Sequence, residues 1–228
     1  MSRKSRMNDV RSAAARQQAA VNRRNRWIMM GVAAVVVIAL IVGVSLLTRK
    51  PGVPDTPVAS HWVEIDVKDY GVITAELYEN IAPITVANFV KLVNEGFYDG
   101  LTFHRIYPYF MIQGGSPNGD GVGGSGTNIF GEFKSNGWDK NTISHVRGTI
   151  SMARTKEPDS ASSQFFIVHE DSTYLDGDYA AFGTVTEGMN VVDALCDWVA
   201  SGAVICDNNG VIQNVEEMPI IETVKVID

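Results

Sequence analysis

Cysteine is nearly absent from this 228-residue chain, with Cys196 and Cys206 the only two. That excludes a dense disulfide framework and leaves room for one bridge or two free thiols. Basic residues are scarce after residue 50. Residues 51–228 hold nine Lys and Arg against 25 acids, a net of −16. So acidic a segment is a poor nucleic-acid binder, because such binding neutralises phosphates with Lys and Arg. Acids are in turn almost missing from residues 1–50, where Asp9 faces ten Lys and Arg, a net of +9. No internal repeat is present. No Gly-Lys-Ser/Thr follows a glycine-rich loop, and no G-x-S-x-G elbow marks a hydrolase nucleophile. Residue types alone still allow a Ser-His-Asp site. The run Gly121–Gly126 has the form G-x-G-x-x-G, but it lies in a loop region, 114–131, without the flanking strand and helix a dinucleotide needs. Asn118, Asp120 and Asn128 are too few and wrongly spaced for a calcium loop. Histidines 61, 104, 145 and 169 stand apart without cysteine partners, so no metal and no cofactor is expected.

What the chain does have is a long apolar run. Trp27–Leu47 is 21 residues without a charge, about 31 Å as a helix, which matches the ~30 Å apolar layer of a bilayer. A buried helix of a soluble domain rarely runs so far without a polar face. Eight basic residues precede the run and only Arg49 and Lys50 follow it. The positive-inside bias therefore puts residues 1–26 in the cytoplasm and the rest outside, with Trp27 as an interfacial anchor. The run is longer than a signal-peptide core and no A-x-A site follows closely, so an uncleaved signal anchor is favoured over a cleaved signal. The basic tail, 1–26, is expected to be drawn to anionic lipid. Residues 48–60 form a proline-rich linker. Pro51, Pro54 and Pro57 recur every third residue, which suits a stiff polyproline spacer better than a PxxP ligand.

Residues 61–228 then read as short strands. WVEIDV (62–67) and VITAELY (72–78) alternate around an Asp69–Gly71 turn. Pro83 opens a helix whose Val86, Phe89, Val90 and Val93 share a face, and Gly96 stops it. Further strands are expected near 103–106, 109–113, 148–153, 164–168, 180–185 and 219–227, with a second helix over 188–198. Many short strands and two separated helices suggest an antiparallel barrel or sandwich with helices at its ends.

Six fragments stand in order: Phe103-His104-Arg105-Ile106, Tyr109-Phe110-Met111-Ile112-Gln113-Gly114-Gly115, Ile150–Arg154, Ser163–Ile167, Tyr174–Gly177 and Phe182-Gly183. Together they resemble the cyclophilin family of peptidyl-prolyl cis-trans isomerases over residues 61–228, its bacterial members most. The resemblance implies a mainly β fold, a closed eight-stranded antiparallel barrel capped by two helices. It also implies proline-containing polypeptides as partners. The chemistry fits the residues. Rotating an X-Pro bond breaks amide resonance, across a barrier of ~18–20 kcal/mol. It needs a dry slot for the ring and a donor to the prolyl nitrogen, and a guanidinium, always charged and many-toothed, suits the donor.

By that resemblance Arg105 is the donor, and Gln113 orients it and bonds the peptide backbone. Phe110, Met111, Phe166 and Leu175 line the proline pocket. Ala153 and Arg154 offer main-chain groups, Gln164 sits beside the groove, and Tyr179 closes the pocket where many members carry His. Period-two alternation supports a common face for Phe103 and Arg105, and for Met111 and Gln113. Tyr174 stands where many members carry Trp, so cyclosporin binding is expected to be weakened. Arg154 replaces a common Asn and adds a cation at the groove rim. The rival reading is a non-catalytic module that binds proline peptides or acts as a chaperone at the membrane surface. Retention of Arg105, Phe110, Met111 and Gln113 favours the enzyme.

Overall fold

The structure, a computed structural model, describes residues 56–228. The tail, the apolar run at 27–47 and most of the linker lie outside the described residues. Among the described residues, no helix is long and apolar enough to cross a membrane.

Eight strands form one antiparallel sheet: β1 (His61–Val67), β2 (Gly71–Leu77), β3 (Arg105–Tyr107), β4 (Met111–Gly114), β5 (Thr149–Met152), β6 (Phe165–Val168), β7 (Ala181–Glu187) and β8 (Ile221–Val226). Alternation sets the faces. Val63, Ile65 and Val67 of β1 pair near Ala75, Ile73 and Gly71 of β2, and the apolar set is wholly buried. The strand order is β3-β4-β6-β5-β7-β2-β1-β8. The barrel expected to be closed is open, because β3 and β8 end the sheet and share no ladder. The chain entering β3 crosses that seam irregularly. Thr102 bridges both Ser116 and Ile220, and the main chains of Leu101 and Phe103 bond Ile221 and Pro219. Regular strand geometry begins only at Arg105.

Helix α1 (Pro83–Asn94) packs against β8, and α2 (Met189–Ala200) against β2, β3 and β4. Proline starts α1, and Gly96, with φ +66°, ends the chain's helical turn. The first turn of α1 has no capping side chain of its own. Buried Glu132 serves instead: its carboxylate accepts from Ile84 N (3.0 Å), Thr85 N (2.7 Å) and Thr85 Oγ1 (2.7 Å). Negative charge at a helix N-terminus is favourable. Both helices share the interior core with Phe89, Tyr98, Phe103, Phe165 and Phe182.

Cys196 is buried on α2 and Cys206 lies in the following loop, and the two are free thiols, not a bridge. Burial pushes the Cys196 thiol up to about 12, leaving it protonated and unreactive.

Candidate active site

Strands β4 and β6 serve two cores. Ile106, Ile112, Ile150, Phe165 and Ile167 point inward to the main core. Their neighbours Met111, Phe166 and Val168 point the other way and form a second, outer cluster with Leu175, flanked by Phe110, Ala153 and Tyr179. Register explains the grouping. Arg105 pairs with Gln113 and Gln113 with Phe166, while Tyr107 pairs with Met111 and Met111 with Val168. Directly opposed residues share a face. Phe103 was expected on Arg105's face, but it packs inward against Phe165. The irregular crossing at Thr102–His104 breaks the alternation.

Arg105 is half-buried and fastened on two sides. Its Nε donates to Asn209 O (2.8 Å) and its Nη1 to Gln113 Oε1 (3.1 Å). Nη2 has no partner among the described residues. The guanidinium lies 5.8 Å from the centre of the Phe110 ring. Burial lowers its pKa, opposed by Asp207, but an arginine stays charged. Gln113 Nε2 donates on to Gln164 Oε1 (2.9 Å), and Gln164 Nε2 to the carbonyls of Gly121 (3.0 Å) and Gly123 (2.8 Å). The glycine run thus supplies carbonyls to a glutamine relay. Gly121 and Gly123 have φ of +73° and +77°, which glycine adopts without strain.

Asn209 escaped the sequence reading. It sits 104 residues from Arg105, in a turn whose Asp207-Asn208-Asn209-Gly210 composition marks a tight bend but no partner. That loop runs along the free edge of β3, where Ile106 N bonds Gly210 O and Ile212 N bonds His104 O.

The other expected residues gather around the same face, with two differences. Ala153 N is already bonded to Gln164 O (2.9 Å), so its N–H is not free for a peptide. Arg154 is no loose rim cation. Its Nε donates to Asp178 O (2.9 Å) and its Nη1 to Thr155 O (2.9 Å), and the guanidinium lies 4.9 Å from the Phe133 ring centre and 4.6 Å from that of Tyr179. It clamps Tyr179 in place. Tyr174 stands 70% exposed with its ring centre 6.0 Å from that of Phe110. Beyond Gln113 and Ala153 opens a cavity of about 790 Å³, walled by the glycine run and by residues 153–162.

A Ser-His-Asp chain does exist behind the outer cluster. His145 Nδ1 lies 2.9 Å from Asp176 Oδ1 and Nε2 lies 3.0 Å from Ser151 Oγ. Ser151 and His145 are fully buried, so no substrate reaches the hydroxyl. Burial lowers the His145 pKa despite Asp176. The neutral ring donates to Asp176, accepts from Ser151 and stacks on Phe166 at 6.0 Å and 17°. Burial would raise Asp176, but hydrogen bonds from Ser144 and His145 outweigh it and hold the carboxyl low. The triad is a brace for the aromatic floor. Among the described residues no cluster of His, Cys, Asp or Glu could hold a metal ion.

Residues 62–217 match the family described as cyclophilin type peptidyl-prolyl cis-trans isomerase/CLD. Peptidyl-prolyl cis-trans isomerase B of Bacillus subtilis is 50% identical over 123 residues, covering 54% of this chain and 82% of the relative. Peptidyl-prolyl cis-trans isomerase A of Dickeya dadantii is 42% identical over 163 residues, covering 69% and 80%. A Cryptosporidium parvum cyclophilin type isomerase, crystallised in the presence of the dipeptide Ala-Pro, superposes with a TM-score of 0.61 at 28% identity, covering 73% of this chain and 99% of that one. Fold, ordered motifs and relatives converge, and the chain belongs to the cyclophilin-type peptidyl-prolyl cis-trans isomerases, which are enzymes.

Proposed function

We propose that this enzyme rotates X-Pro bonds by seating the proline ring on Phe110, Met111, Phe166 and Leu175 while Arg105 donates to the prolyl nitrogen. As the bond twists, amide resonance is lost and the nitrogen lone pair becomes a better acceptor. A donor aimed there stabilises the twisted state more than either planar isomer. No bond is made or broken, so no nucleophile or cofactor is called for. The observation that carries the reading is Arg105 itself: held by Asn209 and Gln113, set against Phe110, with Nη2 unspent. Gln113 positions Arg105, and the residues before proline run past Gln113, Gln164 and the main chain of Ala153 and Arg154 toward the 790 Å³ cavity. Tyr174 and Tyr179 bound the pocket on its far sides. The Cryptosporidium relative's Ala-Pro supports a proline-containing peptide as the substrate class.

We place the enzyme as a single-pass protein of the cell membrane, anchored by residues 27–47, with its N-terminus cytoplasmic and residues 61–228 outside, acting on folding or secreted chains. The uncharged run and the opposed charges of the two segments support this. An isomerisation assay on an X-Pro peptide tests the chemistry. Arg105→Ala is expected to reduce kcat/KM by about 10²–10³-fold, the usual loss for a preorganised donor. Activity within twofold of wild type would overturn the assignment. Peptide binding without turnover in the wild type would point to the non-catalytic module.

A further inference from the structure

Arg105 is held through Nε by a main-chain carbonyl, and a carbonyl points only where its turn aims it. One side chain shapes that turn. Asp207 Oδ1 accepts from Asn209 N (2.8 Å) and Val211 N (2.9 Å). The main chain closes the same loop: Gly210 N donates to Asp207 O (3.0 Å) and Asp207 N to Val211 O (2.9 Å). An aspartate that bonds the backbone two residues on is a strong turn former. Asn209 lies within this turn, and its carbonyl accepts from Arg105 Nε (2.8 Å). The turn is fastened to the chain on both sides of Arg105. Ile212 N donates to His104 O (3.0 Å), and Ile106 N donates to Gly210 O (2.8 Å). Gly210 has φ +82°, and a Cβ there would stand 2.6 Å from Ile106 O. Glycine permits both the conformation and the close approach. Asp207 itself is exposed, so its task is not core packing. Hydrogen bonds from Val211 N and Asn209 N, with the nearby Arg105 charge, hold its carboxyl below the usual carboxylate range. It is an ionised acceptor at neutral pH.

We propose that Asp207 is a positioning residue for the isomerase reaction: by fixing the 207–211 turn it aims the Asn209 carbonyl at Arg105 Nε and leaves Nη2 directed at the substrate. This rests on the isomerase reading. A guanidinium is planar and rigid, on a flexible stem. Two fixed N–H groups therefore define where the third nitrogen lies. Gln113 Oε1 fixes Nη1 and Asn209 O fixes Nε. Without the second acceptor a single contact remains, and the plane can rotate about it. A donor displaced in this way stabilises the twisted bond less. The seat of the proline ring is made by other residues and stays as it was.

The test uses the full chain in detergent, an X-Pro peptide, and two readouts. One is the split between kcat and KM. The other is the rate at which the Arg105 Nε proton exchanges with water, followed by NMR and assigned with Arg105→Lys. Asp207→Ala should lower kcat about tenfold at nearly unchanged KM, the signature of an interaction made only in the transition state. The Nε proton should exchange several-fold faster. Asp207→Asn keeps an Oδ1 acceptor for Asn209 N and Val211 N, and should restore most of kcat and the slow exchange. A kcat within twofold of wild type in Asp207→Ala, or an equal loss in Asp207→Asn, would overturn the proposal. So would a raised KM with kcat unchanged. Full turnover in Arg105→Ala would instead overturn Arg105 as the donor, and the Nε exchange rates would still decide whether Asp207 orients it.

Discussion

His104 lies one residue from the proposed donor, yet it is buried with neither ring nitrogen hydrogen-bonded. Burial, helped by neighbouring Arg105, drives its pKa down to about 4. An unfolded histidine titrates near 6.5. Between those values the unfolded chain takes a proton and the folded chain does not. Its contribution is therefore fully present above about pH 6.5 and is lost as pH falls toward 4, on the order of 3 kcal/mol at the limit. His145 acts in the same direction, and Glu132, raised by burial, acts against both. Urea midpoints at pH 7 and pH 4.5 should differ in the wild type and differ less in His104→Gln. Equal differences in the two proteins would refute the histidine assignment. Tyr174 makes the second case at this scale. Phenol offers less apolar face than indole and carries its polar group at the far tip. Tyr174→Trp should therefore tighten inhibition by cyclosporin about ten- to a hundredfold without a comparable rise in turnover. An unchanged inhibition constant would remove Tyr174 from the drug's contacts.

Local elements follow local chemistry closely. Pro83 and Gly188 mark the starts of α1 and α2, and the alternation in 62–67 and 72–78 marks β1 and β2. What could not be read there is long-range. The seam between β3 and β8 depends on how residues 100–104 meet residues 219–221, and no period in either stretch encodes it. The candidate site was legible through ordered motifs, whereas Asn209 and the buried brace on Phe166 were not, since their partners come from distant loops. Glu132 shows the same dependence: the cap of α1 arrives 47 residues downstream of Thr85. Glu132→Gln replaces an acceptor by an amide N–H opposite Thr85 N. It should remove about 2 kcal/mol of stability, lowering the melting temperature by roughly 4–8 °C, with kcat/KM little changed in the folded fraction. A melting temperature within a degree of wild type would mean that the carboxylate is not the cap.

Over the full chain the charge divides at the apolar run, +7 before and −14 after. Protease added to spheroplasts should degrade residues 51–228 and spare the basic tail. A protected enzyme domain would reverse the proposed orientation. The two-sided strands matter at this scale too. In β3, β4 and β6 successive residues belong alternately to the interior and to the outer face proposed to take the substrate. A point substitution at 107, 111, 166 or 168 is therefore expected to alter ligand preference while the interior core on the other side keeps its shape. An insertion or deletion of one residue would swap the two sets and destroy both. Heritable change in specificity is thus channelled into substitutions at every second position, and a library restricted to those positions would explore new substrates with few unfolded members.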